Sequence, residues 1–330
     1  MMNISTQIRT MVILALISLI IINCDDAYDE YSGYRYENDF YIVNSNASGL
    51  KQITVAADYV ANIEFLPDGS GIIFETRGNM SGNFLYDLTS GEMTAYENEN
   101  PDSIQVYYRN GEIFLINYVR SDTVNISDSD DYDYDPLLIN GNTRVIYLTS
   151  KYDDELGRMQ LIQLMDLMTG ENQVIDTLQG RLDMMDYSDD RSLIVYLENV
   201  SPFAKLWLFS ATNFSTSEIC ETFWTNTVDF SPDNTAIVLN AYSGNYKDLF
   251  LVNLNSGEKS RLTESEASEY QPLFSPDGTQ ILFVSRNNDK SCLRIIDRDG
   301  SNLLTLTPEY ENIYEHCFSS DGKMIAFTCE

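Results

Sequence analysis

The groups best able to do chemistry in this chain are carboxylates. Their densest run is Asp128-Ser129-Asp130-Asp131-Tyr132-Asp133-Tyr134-Asp135. Asp131, Asp133 and Asp135 alternate in a pattern that could coordinate calcium through hard oxygen ligands. The glycine and distal glutamate of an EF-hand loop are missing, and a solvated connecting loop is the competing reading. No other cofactor is expected. His316 is the single histidine, too few for the His clusters of metal-dependent lyases or for a Ser-His-Asp hydrolase. Beside Glu315 and Cys317 it reads as a packed strand residue. Paired carboxylates could serve a glycosidase, but their spacing singles out no pair. Cys220, Cys292, Cys317 and Cys329 show no metal-binding spacing. Cys317 and Cys329 fall on neighbouring strands several residues out of opposition, so disulfide pairing and buried free thiols both stay open. These residues point away from an enzyme.

The elements around them come from a repeat. Phe274-Ser275-Pro276-Asp277-Gly278 followed by Ile281-Leu282-Phe283 returns as Phe230 to Leu239, Phe318 to Phe327 and Phe65 to Phe74, with looser copies at Tyr187, Leu138 and Glu99. Proline pre-sets φ, aspartate bonds back to nearby backbone N–H groups, and Gly or Asn accepts positive φ. Each copy is therefore strand, turn, strand. A second hairpin follows the strong copies, as in Asp248 to Thr263. Four strands per unit, at spacings of roughly 34 to 49 residues, predict the blades of a β-propeller.

Turn positions Asp68, Asp102, Gly141, Asp190, Asp233, Asp277 and Asp321 count seven blades. The second unit lacks a convincing first strand before Pro101-Asp102, so six blades are the alternative. The last unit has only its first hairpin, and Asp39 to Thr54 matches Asp248 to Thr263 in type. The N-terminal strands are thus expected to complete the C-terminal blade and close the ring, leaving no long unpaired edge.

The Phe-Ser-Pro-Asp-Gly hairpin followed by Leu-x-Asn/Asp…Gly…Leu-Thr resembles the WD40-like (PD40) repeat of TolB-type β-propellers, which also builds the propellers of prolyl oligopeptidase relatives. The resemblance covers most of residues 40–330 and implies a free-standing propeller that binds proteins of the bacterial envelope. The extra domains of TolB and of the peptidases are not expected here.

Residues 1–23 read as an export leader. Arg9 is their only charge, and Met11 to Ile22 is an apolar run broken only by Ser18, too short to span a bilayer. Ile21-Ile22-Asn23-Cys24 resembles a lipobox, which makes Cys24 the lipidation site and the anchor to the membrane; Asn23 departs from the usual small residue. Residues 24–39 form an acidic tether and residues 40–330 the propeller. With 20 Lys+Arg against 51 Asp+Glu, the net charge is −31, which excludes nucleic-acid binding by ordinary electrostatics. The expected protein is a monomeric, lipid-anchored scaffold in the periplasm or at the cell surface, contacting envelope proteins. A carbohydrate-binding or glycan-processing propeller is the alternative.

Overall fold

The computed structural model describes residues 38–53, 59–77, 81–96, 104–153, 157–178, 180–200, 203–222, 225 and 227–330. The leader, Cys24, nearly all of the tether and Asp102 lie outside these residues. The described residues form no helix.

Strands β1 (Asp39–Asn44) and β2 (Lys51–Ile53) come first in the chain but belong to the last blade. The first blade is β3 (Tyr59–Phe65), β4 (Gly71–Arg77), β5 (Gly82–Asp87) and β6 (Met93–Ala95). The second is β7 (Ile104–Arg109), β8 (Glu112–Asn117) and β9 (Asp122–Asn125), and the third β10 (Tyr132–Ile139), β11 (Arg144–Asp153), β12 (Gly157–Asp166) and β13 (Asn172–Leu178). The fourth comprises β14 (Arg181–Tyr187), β15 (Leu193–Val200), β16 (Phe203–Ser210) and β17 (Ser215–Thr222). The fifth holds β18 (Val228–Phe230), β19 (Ala236–Ser243), β20 (Tyr246–Asn253) and β21 (Lys259–Arg261). The sixth holds β22 (Ser268–Phe274), β23 (Gln280–Asn287), β24 (Lys290–Asp297) and β25 (Leu304–Thr305). In the seventh, β26 (Ile313–Phe318) and β27 (Met324–Cys329) join the N-terminal pair in the order β2-β1-β27-β26.

Seven antiparallel sheets make a seven-bladed propeller, and the six-bladed alternative falls. The closure predicted from the termini holds: β1 pairs with β27 from Asp39↔Cys329 to Asn44↔Met324. Six sheets have four strands and the second blade has three among the described residues. Its hydrogen bonds identify which three. Ile126 N bonds Ile113 O and Ile113 N bonds Ser127 Oγ. Leu262, Leu249 and Thr263 repeat that pattern in the fifth blade, as do Leu306, Leu293 and Thr307 in the sixth. Hence β8 is a third strand, β9 a fourth and β7 a second. A first strand of this blade is not among the described residues.

The core lies between blades rather than within them. One cluster joins Leu137, Ile146 and Leu164 of the third blade to Leu182, Ile194 and Tyr196 of the fourth. Another joins Phe40, Ile53 and Ala326 of the closing blade to Val60, Ile72 and Phe74 of the first. Second strands such as β19 and β23 are buried along most of their length, whereas fourth strands such as β21 are exposed throughout. The first strands therefore face the axis and the fourth strands the outside.

The repeat's turn is a small hydrogen-bonded device. Ser275 Oγ donates to Asp277 Oδ1 at 2.7 Å and accepts from Gln280 N at 2.9 Å. Asp277 Oδ1 also accepts from Thr279 N at 3.0 Å. Ser231 with Asp233, Ser319 with Asp321 and Ser188 with Asp190 repeat the device; Asp68 keeps its half through Ser70 N. These bonds hold the Asp277 carboxyl below its ordinary range, the Ser275 hydroxyl contributing most. The turns also touch across blades: a Cβ on Gly278, at φ +70°, would stand 3.3 Å from Pro232 Cδ. Proline and glycine recur together because one blade's proline packs on the next blade's glycine. Asp277→Ala is expected to cost about 0.5–1.5 kcal/mol for each bond lost, read as a lower urea midpoint, with partner binding unchanged in the folded protein. Selective loss of binding would refute a purely structural role.

Candidate functional site

In the fourth, fifth and seventh blades, the first-strand residue just before the repeat aromatic reaches the next blade. In the fourth and fifth blades that residue is aspartate. Asp186 Oδ2 accepts Phe230 N at 2.9 Å, and Asp229 Oδ2 accepts Phe274 N at 2.6 Å. The equivalent Cys317 thiol faces the backbone N–H of Phe65. Glu315 Oε2 accepts Ile63 N at 3.2 Å, again across a blade boundary. Most of the described first strands also carry a bulge, although β18, which holds Phe230, does not. Pairing slips between Ala61 and Glu64, Tyr134 and Leu137, Met184 and Asp186, Tyr270 and Leu273, and Ile313 and Glu315. A bulge leaves ladder groups unmatched, and the preceding blade supplies acceptors.

These groups keep a share of solvent contact while being surrounded by protein, as side chains lining an axial passage would. Burial raises Asp186 to about 7, opposed by the N–H groups of Tyr187 and Phe230 and reinforced by Asp189. Asp229 is raised well above the ordinary carboxylate range by burial and then by Asp186. Burial also lifts Glu64 and Glu315. The result is an inner ring of weak acids that takes up protons more readily than surface aspartates.

The histidine belongs to the same ring. His316 Nε2 lies 2.9 Å from Gln271 O of the sixth blade, and burial lowers its pKa to about 4. It is a neutral packing residue at physiological pH, as its position in the sequence suggests. Cys220, Cys292, Cys317 and Cys329 are free thiols, and Cys317 opposes Ala326 while Cys329 opposes Ile313.

The structure engages Asp131 and Asp133 in other bonds and displaces Asp135. Asp131 Oδ2 pairs with Lys151 Nζ at 3.1 Å. Asp133 is fully buried and accepts from Thr149 Oγ1 at 2.5 Å and Ser129 Oγ at 2.9 Å. Asp135 sits in the bulge at a left-handed φ of 49°, which breaks the alternation that would have set it beside Asp133. Among the described residues no three His, Cys, Asp or Glu side chains are placed to hold a metal. Of the predicted turn residues, Asp68, Asp190, Asp233, Asp277 and Asp321 all occupy first-to-second-strand turns. The inner-ring acids Asp186, Asp229 and Glu64 were not singled out as a set. Their only sequence signal is an acid directly before the repeat aromatic.

Comparison with known proteins places the geometry. The TolB β-propeller domain family (PD40) matches residues 140–330, more than half of the chain. No curated protein matches. Among solved structures, an oligogalacturonate lyase from Vibrio parahaemolyticus is 13% identical with a TM-score of 0.58, covering 89% of this chain and 97% of that one. Dipeptidyl peptidase 4 from Porphyromonas gingivalis is 11% identical with a TM-score of 0.54, covering 87% of this chain and 52% of that one. A TolB protein described as putative, from Agrobacterium tumefaciens, is 14% identical with a TM-score of 0.48, covering 89% and 98%. At these identities the likeness concerns the ring itself and not its chemistry.

Proposed function

The chain belongs to the TolB β-propeller family, and from that premise we propose that it is a non-enzymatic protein-binding module of the bacterial cell envelope. The observation that carries this reading is that, among the described residues, its repeated polar residues are engaged in turns and blade-to-blade bonds. Ser231, Asp233, Ser275 and Asp277 hold turns, while Asp186 and Asp229 hold neighbouring blades. Among the described residues none of these is left over as a reactive constellation. Function then rests on surfaces, and the loop-bearing faces of a ring are where partners dock. The chain is exported by residues 1–23 and held to a membrane by a lipid on Cys24. It works as a monomer in the periplasm or at the cell surface.

Affinity capture of the full-length chain from its native envelope tests the reading. An envelope protein is expected to co-purify with the wild type at stoichiometric yield. Recovery of glycans instead, with turnover of an oligosaccharide, would overturn it in favour of a carbohydrate-directed propeller. The anchor has its own test: Cys24→Ala is expected to abolish fatty-acid labelling and move the protein to the soluble fraction. Unchanged membrane retention would exclude lipidation at this residue.

A further inference from the structure

The described residues expose six large aromatics: Tyr118, Tyr132, Tyr152, Phe203, Tyr242 and Tyr246. All but Tyr118 lie on one face of the ring. Successive strands of a blade run antiparallel. The hairpins joining second to third strands, and the crossovers from one blade to the next, therefore open opposite the repeat turns. Tyr152 and Phe203 stand at the ends of two such hairpins, Tyr242 and Tyr246 flank a third, and Tyr132 opens β10 after a crossover. Side-chain alternation sets where each points. Tyr152 shares its side of β11 with Leu148, which packs on the fourth blade, and Phe203 shares its side of β16 with Phe209, which packs on the third. The two face one another's blades at the open end of that boundary. By the same count Tyr246, on the side of Phe250, faces the fourth blade. Tyr242, on the side of Val238, faces the sixth. Three consecutive blade boundaries thus end in exposed aromatic rings.

Acids are interleaved with these rings. Asp128, Asp130 and Asp131 lead into Tyr132, Asp153 follows Tyr152, and Glu266 lies on the crossover after the fifth blade. The lysines beside them are already engaged. Lys151 Nζ bonds Asp131 Oδ2 at 3.1 Å. Lys247 is 7% exposed, and its Nζ sits 5.3 Å from the ring centres of both Tyr242 and Tyr270. With Arg181 counted as well, acids remain in excess. Lys247 also shows how this surface holds a cation, against the faces of tyrosines. Exposed rings rimmed by polar groups mark a docking surface, and aromatic anchors dominate the energy of an interface. The acids then select a partner of opposite charge. The repeat-turn face lacks this combination: its exposed ring, Tyr118, is bonded through its hydroxyl to Gln105.

We propose that this arc, from Tyr132 and Tyr152 across Phe203 to Tyr246 and Tyr242, docks an extended Arg- or Lys-bearing segment of a partner protein. The rings pack on the segment's side chains and the acids pair with its charges. The proposal rests on the protein-binding reading above and adds the face used and the partner's chemistry. Fluorescence anisotropy on the full chain at about 0.15 M salt tests it with a labelled peptide of about twelve alternating Arg and Ser residues. Its Glu-Ser counterpart and labelled maltohexaose are the comparisons. The Arg peptide is expected to bind at least tenfold more tightly than either. Tyr152→Ala combined with Phe203→Ala is expected to weaken it at least tenfold. Met168→Ala, at an exposed position on the opposite face, is expected to leave it unchanged. Failure of the wild type to bind the Arg peptide overturns the proposal. Undiminished binding in the folded double variant, or an equal loss in folded Met168→Ala, does the same, since overall charge would then hold the peptide. Tighter binding of maltohexaose overturns it in favour of a glycan. In the envelope capture, a protein recovered equally by wild type and double variant overturns this surface and leaves the protein-binding reading standing. Recovery of none defeats that reading, while the peptide titration still decides the surface.

Discussion

Phe40→Ala is expected to destabilise the protein by about 3–5 kcal/mol, the usual cost of emptying a buried phenylalanine site. Phe40 is 1% exposed and lies in β1, with its ring 5.3 Å from that of Phe74 in the first blade. It packs with Ile53, Val60 and Ala326, so one side chain joins the closing blade to its neighbour. No turn connects β1 to β27; their pairing, this packing, the Asn38–Val60 bonds and the stacking of Tyr41 on Phe327 hold the N-terminal strands in place. A cavity here therefore loosens the closure itself. Phe283→Ala, in the equally buried β23, should cost a similar amount without that effect. Denaturant unfolding measures both losses, and limited proteolysis separates them: cleavage near β1 and β2 should accelerate in Phe40→Ala alone. Matching cleavage patterns in the two variants would show that closure does not depend on this contact.

The second large effect concerns the inner ring. Asp229→Asn is expected to stabilise the protein at pH 8 by about 1–3 kcal/mol, the scale of a buried polar mismatch relieved. An asparagine Oδ1 can still accept Phe274 N, while the charge that burial and Asp186 oppose is gone. Asp229 and Asp186 are raised in the fold from an unfolded value of about 3.9. Their favourable contribution is thus complete below the unfolded value and lost as pH rises through the folded one, about 7 for Asp186. His316 works in the opposite sense. Lowered to about 4 in the fold, it contributes above the unfolded histidine value of about 6.5 and loses that contribution on acidification below it. Between pH 8 and pH 6.5 the acids dominate, the histidine losing only about 0.4 kcal/mol by the lower end, so the wild type should gain stability on mild acidification. The advantage of Asp229→Asn should shrink over the same interval. Urea midpoints at pH 8 and 6.5 decide the matter. A variant weaker than wild type at pH 8 would mean that the carboxylate's bond to Phe274 outweighs the cost of its burial.

The ring was legible in the sequence because its turns need particular residues. Ser275, Asp277 and Gly278 each meet a requirement that few other residues satisfy, so the motif survives in copies that share little else. The closing strands were legible for the same reason, through the match of Asp39 to Thr54 with Asp248 to Thr263. Less was legible where position depends on register. Asp131, Asp133 and Asp135 look equivalent along the chain, but a bulge at Asp135 sets it apart from the other two. The inner acids could not be grouped, since Asp186 and Asp229 are 43 residues apart (229 − 186) and meet only across a blade boundary.

The clasp also sets an order of events in time. Asp39 pairs with Cys329, a separation of 290 residues (329 − 39). At about 5–20 residues per second, synthesis leaves the first strand waiting roughly 15–60 s for its partner. During that wait its edge is open to any other strand the compartment offers. A chain released before Met324 lacks the partner strand altogether, so the ring cannot close until the last hairpin has been made.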